Sequence, residues 1–480
     1  MKGRRQKISQ DSYRQKDRAE PQNYAGVQTS MWITENNLTS LVQSGYGLLE
    51  HILSPANLNN AYKKVLQNKG AGGIDKMELE SLKDYLIKEK DALIASILAG
   101  KYQPNPVRRV DIPKDNGKQR QLGIPTVVDR VIQQAITQML SPVYEKQFSS
   151  HSYGFRPKRN AHQALQQCQR YMNEGYRYAV DIDLEKFFDT VNQSKLIEVL
   201  SRTIKDGRVI SLIHRYLQAG VVVSNKLEQT TVGVPQGGPL SPLLSNIMLN
   251  ELDKELEHRG HRFVRYADDM IILCKSQRSA MRTMQNLVRY IEKKLFLKVN
   301  VEKSSVEYAG KVKFLGYSFY KTKGSWRLRV HPKSVVKMRT RIKELTCRSN
   351  GWGNDRRKEK LKQFITGWVS YFKLADMKKL LLETDEWYRR RLRTVIWKQW
   401  KRIRTRFTNL MKLGINRSKA WEFANTRKGF WRVAKSPILN TSITNERLRL
   451  TGYPFLTDNY LNAQKLNQGT AVYRTVRTVV

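Results

Sequence analysis

A chain of 480 residues with 87 Lys and Arg against 42 Asp and Glu, a formal net charge of +45, is long enough for several domains. It is too basic to stay compact without a polyanion, so nucleic acid is the expected partner. Three dispersed cysteines, Cys168, Cys274 and Cys347, and seven histidines with no Cys-x-x-Cys argue against a disulfide framework or a zinc site and point to a reducing cytoplasm. The basic start, Met1 to Arg5, is followed by no apolar signal region, and no run approaches the roughly 18 apolar residues of a spanning helix. A soluble, non-secreted protein without membrane contact is expected.

Residues 1–45 are polar and basic without a hydrophobic period, and are expected to form a mobile arm. From Leu48 onward Leu49, Ile52, Leu53, Leu58, Ala61, Tyr62, Val65 and Leu66 recur at helical spacing, with Ser54 and Pro55 marking a helix start. Arg108 to Pro113 alternates as a strand and the turn residues Lys114 to Gly117 follow it, which predicts a basic hairpin; Val127 to Leu140 then reads as a helix. Between about 178 and 320, β-branched or aromatic runs (Tyr178–Ile182, Phe263–Tyr266, Met270–Leu273, Lys313–Phe319) alternate with helical stretches such as Leu196–Leu217 and Leu243–Arg259. That mixture predicts an α+β domain with an antiparallel sheet. Three helical patterns follow near 333–346, 356–373 and 377–404, expected to form a basic bundle, and beyond Arg406 comes a small mixed, basic segment holding Trp421, Trp431, Tyr453 and Tyr460.

Two acidic strings carry the chemistry. Tyr266-Ala267-Asp268-Asp269 falls between two apolar strands, and Asp181-Ile182-Asp183 closes a third. Acids at strand ends are costly unless paired or metal-bound. Two carboxylate-bearing strands can hold a pair of Mg²⁺ ions about 3.5–4 Å apart, one for an attacking 3′-hydroxyl and one for a triphosphate. Strand alternation puts Asp181 and Asp183 on one face, so periodicity leaves both open as the ligand.

From about Leu48 to the C-terminus the chain resembles the reverse transcriptases of group II introns, most of all the short bacterial class C proteins. Seven segments in the family's order carry the resemblance: Leu122-Gly123-Ile124-Pro125-Thr126, Tyr153-Gly154-Phe155-Arg156-Pro157, Asp183 to Asp189, Val234 to Pro242, Tyr266 to Asp269, Lys298-Val299-Asn300 with Lys303, and Phe314-Leu315-Gly316-Tyr317. The resemblance implies a right-hand polymerase: an arm over 1–45, an N-terminal extension over 46–105, fingers and palm over 106–325, a helical thumb or domain X over 326–405, and a small basic DNA-binding domain over 406–480. It implies RNA-directed DNA synthesis with two Mg²⁺, and maturase binding of the intron RNA as a ribonucleoprotein in splicing and in mobility by target-primed reverse transcription. RNA template, DNA primer, DNA target and dNTPs would be its other partners.

The same resemblance makes Asp183, Asp268 and Asp269 the catalytic and metal-binding triad, with the Leu184 carbonyl as a further ligand. Lys114, Arg120, Phe188, Gln236 and Lys303 would bind the dNTP, Phe188 lying under the sugar and Lys303 beside the leaving pyrophosphate. Tyr266, Arg156 and Gly316 would lie along primer and template. In the thumb and beyond, Arg389, Arg390, Arg391, Arg393, Lys398, Lys401 and Arg402 would contact RNA or DNA. Read on the residues alone, Phe188 also suits a core aromatic, Lys114 and Arg120 a basic hairpin on template RNA, and Lys303 a structural lysine. Phe296 stands where the family has Gly. The zinc-bearing nuclease of many relatives has no ligands here, which implies priming from an existing DNA 3′ end. A splicing-only maturase and a domesticated reverse transcriptase with another template are the alternatives.

Overall fold

The computed structural model describes residues 35–113, 117, 119–223 and 226–465. Eleven strands among them form three sheets: β1 (Val107–Pro113), β2 (Gln119–Ile124), β3 (Tyr178–Ile182), β4 (Val221–Val223), β5 (Lys226–Glu228), β6 (Arg262–Tyr266), β7 (Asp269–Cys274), β8 (Ser305–Tyr308), β9 (Lys313–Phe314), β10 (Tyr317–Thr322) and β11 (Ser325–Val330).

The central sheet, ordered β6-β7-β3-β8, is antiparallel throughout, with Asp181 opposite Ile271 and Tyr266 opposite Asp269. Because side chains alternate across a strand, its two faces serve two cores. Val180, Ile182, Phe263, Met270 and Ile272 pack with the N-terminal helices, the Val127–Glu145 helix and the Ser241–His258 helix. Ala179, Val264, Ile271 and Leu273 pack with β9 to β11 and the helices beyond Pro332. This is the expected α+β architecture of fingers and palm followed by a helical thumb.

In the fingers sheet, ordered β2-β1-β4-β5, the predicted hairpin β1–β2 is joined by β4 in parallel, Val107 opposite Val221. The third sheet, ordered β11-β10-β9, links the palm to the thumb helices Pro332–Leu345, Asn354–Phe372 and Lys378–Gln399.

Several expectations change. The proposed arm lies outside the described residues up to 34, but Glu35–Ser44 is a helix whose Leu38 and Val42, one turn apart, are buried, so the folded chain begins earlier than residue 46. Leu196–Leu217 is two helices, Gln193–Thr203 and Gly207–Gln218, because the Asp206 carboxylate accepts from the Arg208 amide and starts a second helix. The run Lys313–Phe319 is bent at Leu315 and Gly316, whose φ values are +49° and +81°. Past Arg406 the chain is a set of short helices, four of them entered through Asn416, Ser436, Thr444 and Gly429 as caps.

Candidate active site and nucleic-acid interface

The β6–β7 hairpin presents Asp268 and Asp269 at its tip, Asp268 exposed, and β3 delivers Asp183 just past its last residue. Asp183 is fixed through its backbone, its amide donating to the Ser304 hydroxyl oxygen at 3.0 Å and its carbonyl accepting from the Asn300 amide at 2.8 Å. Its carboxylate meets the Lys303 ammonium at 2.8 Å. The segment Lys298 to Lys303 is therefore gathered against the first aspartate, and Leu184 is bridged to Val299.

The charges interact. Burial, then the Asp268 and Asp183 carboxylates, push Asp269 up to about 6, with Lys313 opposing. Burial, then Asp269, Asp183 and Glu307, push Asp181 up to about 7. Among the described residues no three acidic, His or Cys side chains are drawn into a closed metal cage. The carboxylates instead form an open, mutually repelling floor, which suits a hard divalent cation that takes one or two carboxylates and fills its remaining positions with water and other oxygen ligands.

Asp181 thus shares the face but is the more protonated acid. Its proton is held more tightly in the folded chain than in the unfolded one, where an aspartate titrates near about 3.9. Stability of the metal-free protein must then fall as pH rises through about 7. Asp181→Asn removes that cost: in chelator-containing buffer the variant is expected to melt several degrees above wild type at pH 8 and close to it at pH 4. Equal melting differences at both pH values would refute the assignment.

The turn carrying Asp268 and Asp269 is braced from below. Ala267 sits at φ +58°, and its carbonyl accepts from the Arg265 guanidinium at 3.0 Å. Arg265 is wholly buried and pairs with the equally buried Asp253 through Nε at 2.8 Å and Nη2 at 2.5 Å, while Nη1 reaches Asn246 at 2.9 Å. Asn246 in turn donates to the Gly154 carbonyl at 2.9 Å. Gly154 lies so close to the turn that a Cβ there would overlap the Ala267 backbone nitrogen, which explains the glycine in the Tyr153–Pro157 segment. Sequence reasoning passed over Arg265. Its signal was parity: it shares a strand face with the buried Phe263.

A second cluster assembles from three remote segments. Arg120 of β2 donates through Nε to the Gln236 side chain at 3.1 Å, and the Gln236 carbonyl accepts from the Gly123 amide at 2.7 Å. Gly237, at φ +129°, approaches the Gly123 carbonyl to within 2.5 Å of where a Cβ would be, so only glycine fits. Phe188 stands half-exposed, edge-on to the buried Phe187 at 5.3 Å, and its carbonyl accepts from Val234 at 2.6 Å. Phe187 lies in the core and the half-exposed Phe188 packs against its edge. Lys114 lies outside the described residues.

Five of the basic side chains expected on nucleic acid are engaged within the protein. Arg156 is buried, gripping Glu145 through Nε and Nη2 (the latter at 2.7 Å) and the Ser152 carbonyl at 2.8 Å, so its donors are committed to packing rather than to primer or template. In the thumb, Arg391 donates to the Thr346 hydroxyl at 2.6 Å, and Arg393 is buried and donates to the Ile443 carbonyl at 2.9 Å. Arg390 lies over the Trp431 ring at 4.0 Å with its donors on the Trp431 carbonyl, and Lys398 reaches the Arg348 carbonyl at 3.0 Å. These side chains staple the Lys378–Gln399 helix to the segments around it. Arg389 is half-exposed, and Lys401 and Arg402 are exposed.

Gly316 and Tyr266 sit at the palm–thumb seam. The Gly316 carbonyl accepts from the His331 amide at 3.1 Å and the Ser334 hydroxyl at 2.9 Å. Tyr371 of the Asn354–Phe372 helix donates to the Leu315 carbonyl at 2.9 Å, and its own carbonyl receives Tyr317 and His162. Burial raises the proton affinity of its hydroxyl, with the Tyr266 phenol and the Asp269 carboxylate adding to it, so this thumb helix lies near the hairpin that carries Asp268 and Asp269.

Residues 112–319 match the family described as reverse transcriptase (RNA-dependent DNA polymerase), and residues 335–414 match the group II intron maturase-specific domain. Protein YkfC of Escherichia coli K12 is 33% identical over 299 residues, 54% of this chain and 78% of that protein. The group II intron-encoded protein LtrA of Lactococcus lactis subsp. cremoris is 30% identical over 400 residues, 69% of this chain and 65% of LtrA, so the chain spans just under two thirds of that relative. A chain of the partial Cas6-RT-Cas1–Cas2 complex aligns at 23% identity and a TM-score of 0.34, over 51% of this chain and 42% of that one. The chain belongs to the group II intron reverse transcriptase/maturase family: an RNA-directed DNA polymerase domain followed by a maturase domain. Among the described residues no helix is long and apolar enough to cross a membrane.

Proposed function

We propose that the chain copies RNA into DNA by templated dNTP addition, binds its group II intron RNA to assist splicing, and primes synthesis on a DNA target during intron mobility in the bacterial cytoplasm. The observation that carries this reading is the convergence of Asp183, Asp268 and Asp269, the first two adding to burial in raising the proton affinity of the third, beside Lys303, Phe188 and the Arg120–Gln236 pair. Fingers and palm over 106–325 would close on the incoming nucleotide, the thumb over 326–405 on the duplex, and residues 406–480 on DNA.

Asp183, the Leu184 carbonyl, Asp268 and Asp269 would hold two Mg²⁺, which when bound supply the Lewis acidity for the primer hydroxyl and the triphosphate. Arg120 and Lys114 would take phosphate oxygens, Arg120 while keeping the Gln236 side chain against the templating base. Lys303, 2.8 Å from Asp183 and 60% exposed, is free to swing from that carboxylate to the leaving pyrophosphate and give up a proton there. Tyr266 and Gly316 would line the primer end, and Arg389, Lys401 and Arg402 remain available for phosphates.

Phe188 would exclude a 2′-hydroxyl by contact. Phe188→Ala is expected to raise NTP incorporation relative to dNTP by roughly ten- to a hundredfold, read as the ratio of kcat/KM on an RNA template. An unchanged ratio would return Phe188 to a packing role. The broader test is extension of a DNA primer on RNA with Mg²⁺ and dNTPs. A preparation that binds RNA but does not extend would instead support a splicing cofactor.

A further inference from the structure

The helices Ile403–Lys412 and Arg417–Ala424 form a hairpin next to the thumb. Its inner side is closed by Leu410, Ala420 and Ala424, all fully buried. Its outer side is not polar. Ile403, Phe407 and Met411 recur every fourth residue and so form one stripe along the first helix, with Ile403 45% and Met411 38% exposed. Trp421 of the second helix, 58% exposed, stands edge-on to Phe407 at 5.7 Å and 82°. Phe407 thus props the indole upright while much of the ring faces solvent. Exposed apolar area of this kind, rimmed by polar groups, marks an interaction site.

The rim is cationic. Arg402, Arg404, Lys412, Arg417 and Lys419 are exposed, and none has an ion-pair partner among the described residues. Arg417 lies one turn from Trp421 on the same helix face. The platform is also anchored: Arg406 donates through Nε to the Trp400 carbonyl at 2.9 Å and covers the Trp397 ring at 4.9 Å, tying the hairpin to the thumb's last helix.

We propose that this hairpin is a docking platform for single-stranded nucleic acid, with a base stacked on Trp421 and the adjoining phosphates on Arg417 and Arg404. An indole accepts any base by its π-face, which a duplex keeps in its own stack, while unpaired cations suit a polyanion far better than a neutral or basic protein surface. The proposal rests on the nucleic-acid reading above but not on catalysis.

The test is fluorescence anisotropy of the full chain, without dNTPs or metal, on a labelled thymidine oligonucleotide and on a blunt duplex of equal length. Trp421→Ala is expected to weaken single-strand binding about tenfold, Trp421→Phe to retain most of it, and both to leave duplex affinity unchanged. Arg417→Gln should lower the salt dependence of single-strand binding by about one phosphate contact. Unchanged single-strand binding in Trp421→Ala overturns the proposal, as does an equal loss on duplex. So does light scattering in which that substitution converts a self-associated protein to monomer, since a second copy would then be what covers the stripe. Primer extension by wild type is scored separately, so its failure would sink the polymerase reading while leaving the platform to its own result.

Discussion

Asp268→Ala is expected to reduce primer extension by about a thousandfold or more, the scale of losing several kcal/mol of charge stabilisation at the reacting phosphate, while leaving the melting temperature at or slightly above that of wild type. The two halves of this result have different causes. Asp268 is exposed at the hairpin tip, and the strained φ of the turn belongs to Ala267, so the side chain contributes little to the fold. Its charge acts instead on Asp269, whose proton affinity it raises. Removing it relieves a like-charge contact and lowers the pKa of Asp269, which favours the folded state above that pKa. On the proposed two-metal reading, catalysis would lose a ligand for which no neighbour substitutes, because Asp181 sits deeper and burial raises its pKa to about 7. Extension rates and thermal melts on the same preparations, with RNA binding as a control, decide the matter. Extension within tenfold of wild type would mean that Asp268 is not a ligand.

The acids were legible because their signal is local: carboxylates placed where an apolar strand stops. Phe188 and Gln236 came from motif resemblance alone, since a half-exposed aromatic beside the buried Phe187 and a glutamine in a glycine-rich turn carry no local signal of a role. What was not legible depends on contacts remote in sequence. Nothing local says that Val107 pairs with Val221, or that Arg120 meets Gln236. The thumb arginines looked like phosphate ligands because Arg among aromatics suits either job. Only the neighbouring chain around Thr346, Trp431 and Ile443 shows that Arg390, Arg391 and Arg393 spend their donors inside the protein. The Glu35–Ser44 helix was missed since its stripe is two or three apolar residues in a polar decade. The break before Gly207 was readable in hindsight, Asp206 being a good cap ahead of an amphipathic run.

Arg265→Met should destabilise the protein by about 3–5 kcal/mol at pH 8, the usual result of leaving one partner of a buried ion pair alone, and should slow extension more than the stability loss explains. Both effects follow from the same guanidinium, which neutralises the fully buried Asp253 and also holds the Ala267 carbonyl under the catalytic aspartates. Without it, Asp253 must be buried charged or take up a proton. Burial already pushes its pKa up, with Arg265 as the main opposing influence, so the variant's folded pKa rises further above the unfolded value. The destabilisation should therefore be largest at high pH and shrink as pH falls through that raised pKa, the reverse of ordinary acid denaturation. A second variant separates fold from catalysis. Arg265→Met combined with Asp253→Leu removes the orphaned charge and is expected to recover most of the stability, as buried pairs replaced by apolar groups commonly do. It cannot restore the hydrogen bond to Ala267, so kcat should stay depressed with the primer KM near wild type. Full recovery of kcat in the double variant would reduce Arg265 to a packing element. Continued loss confined to kcat would make it the residue that positions the catalytic turn.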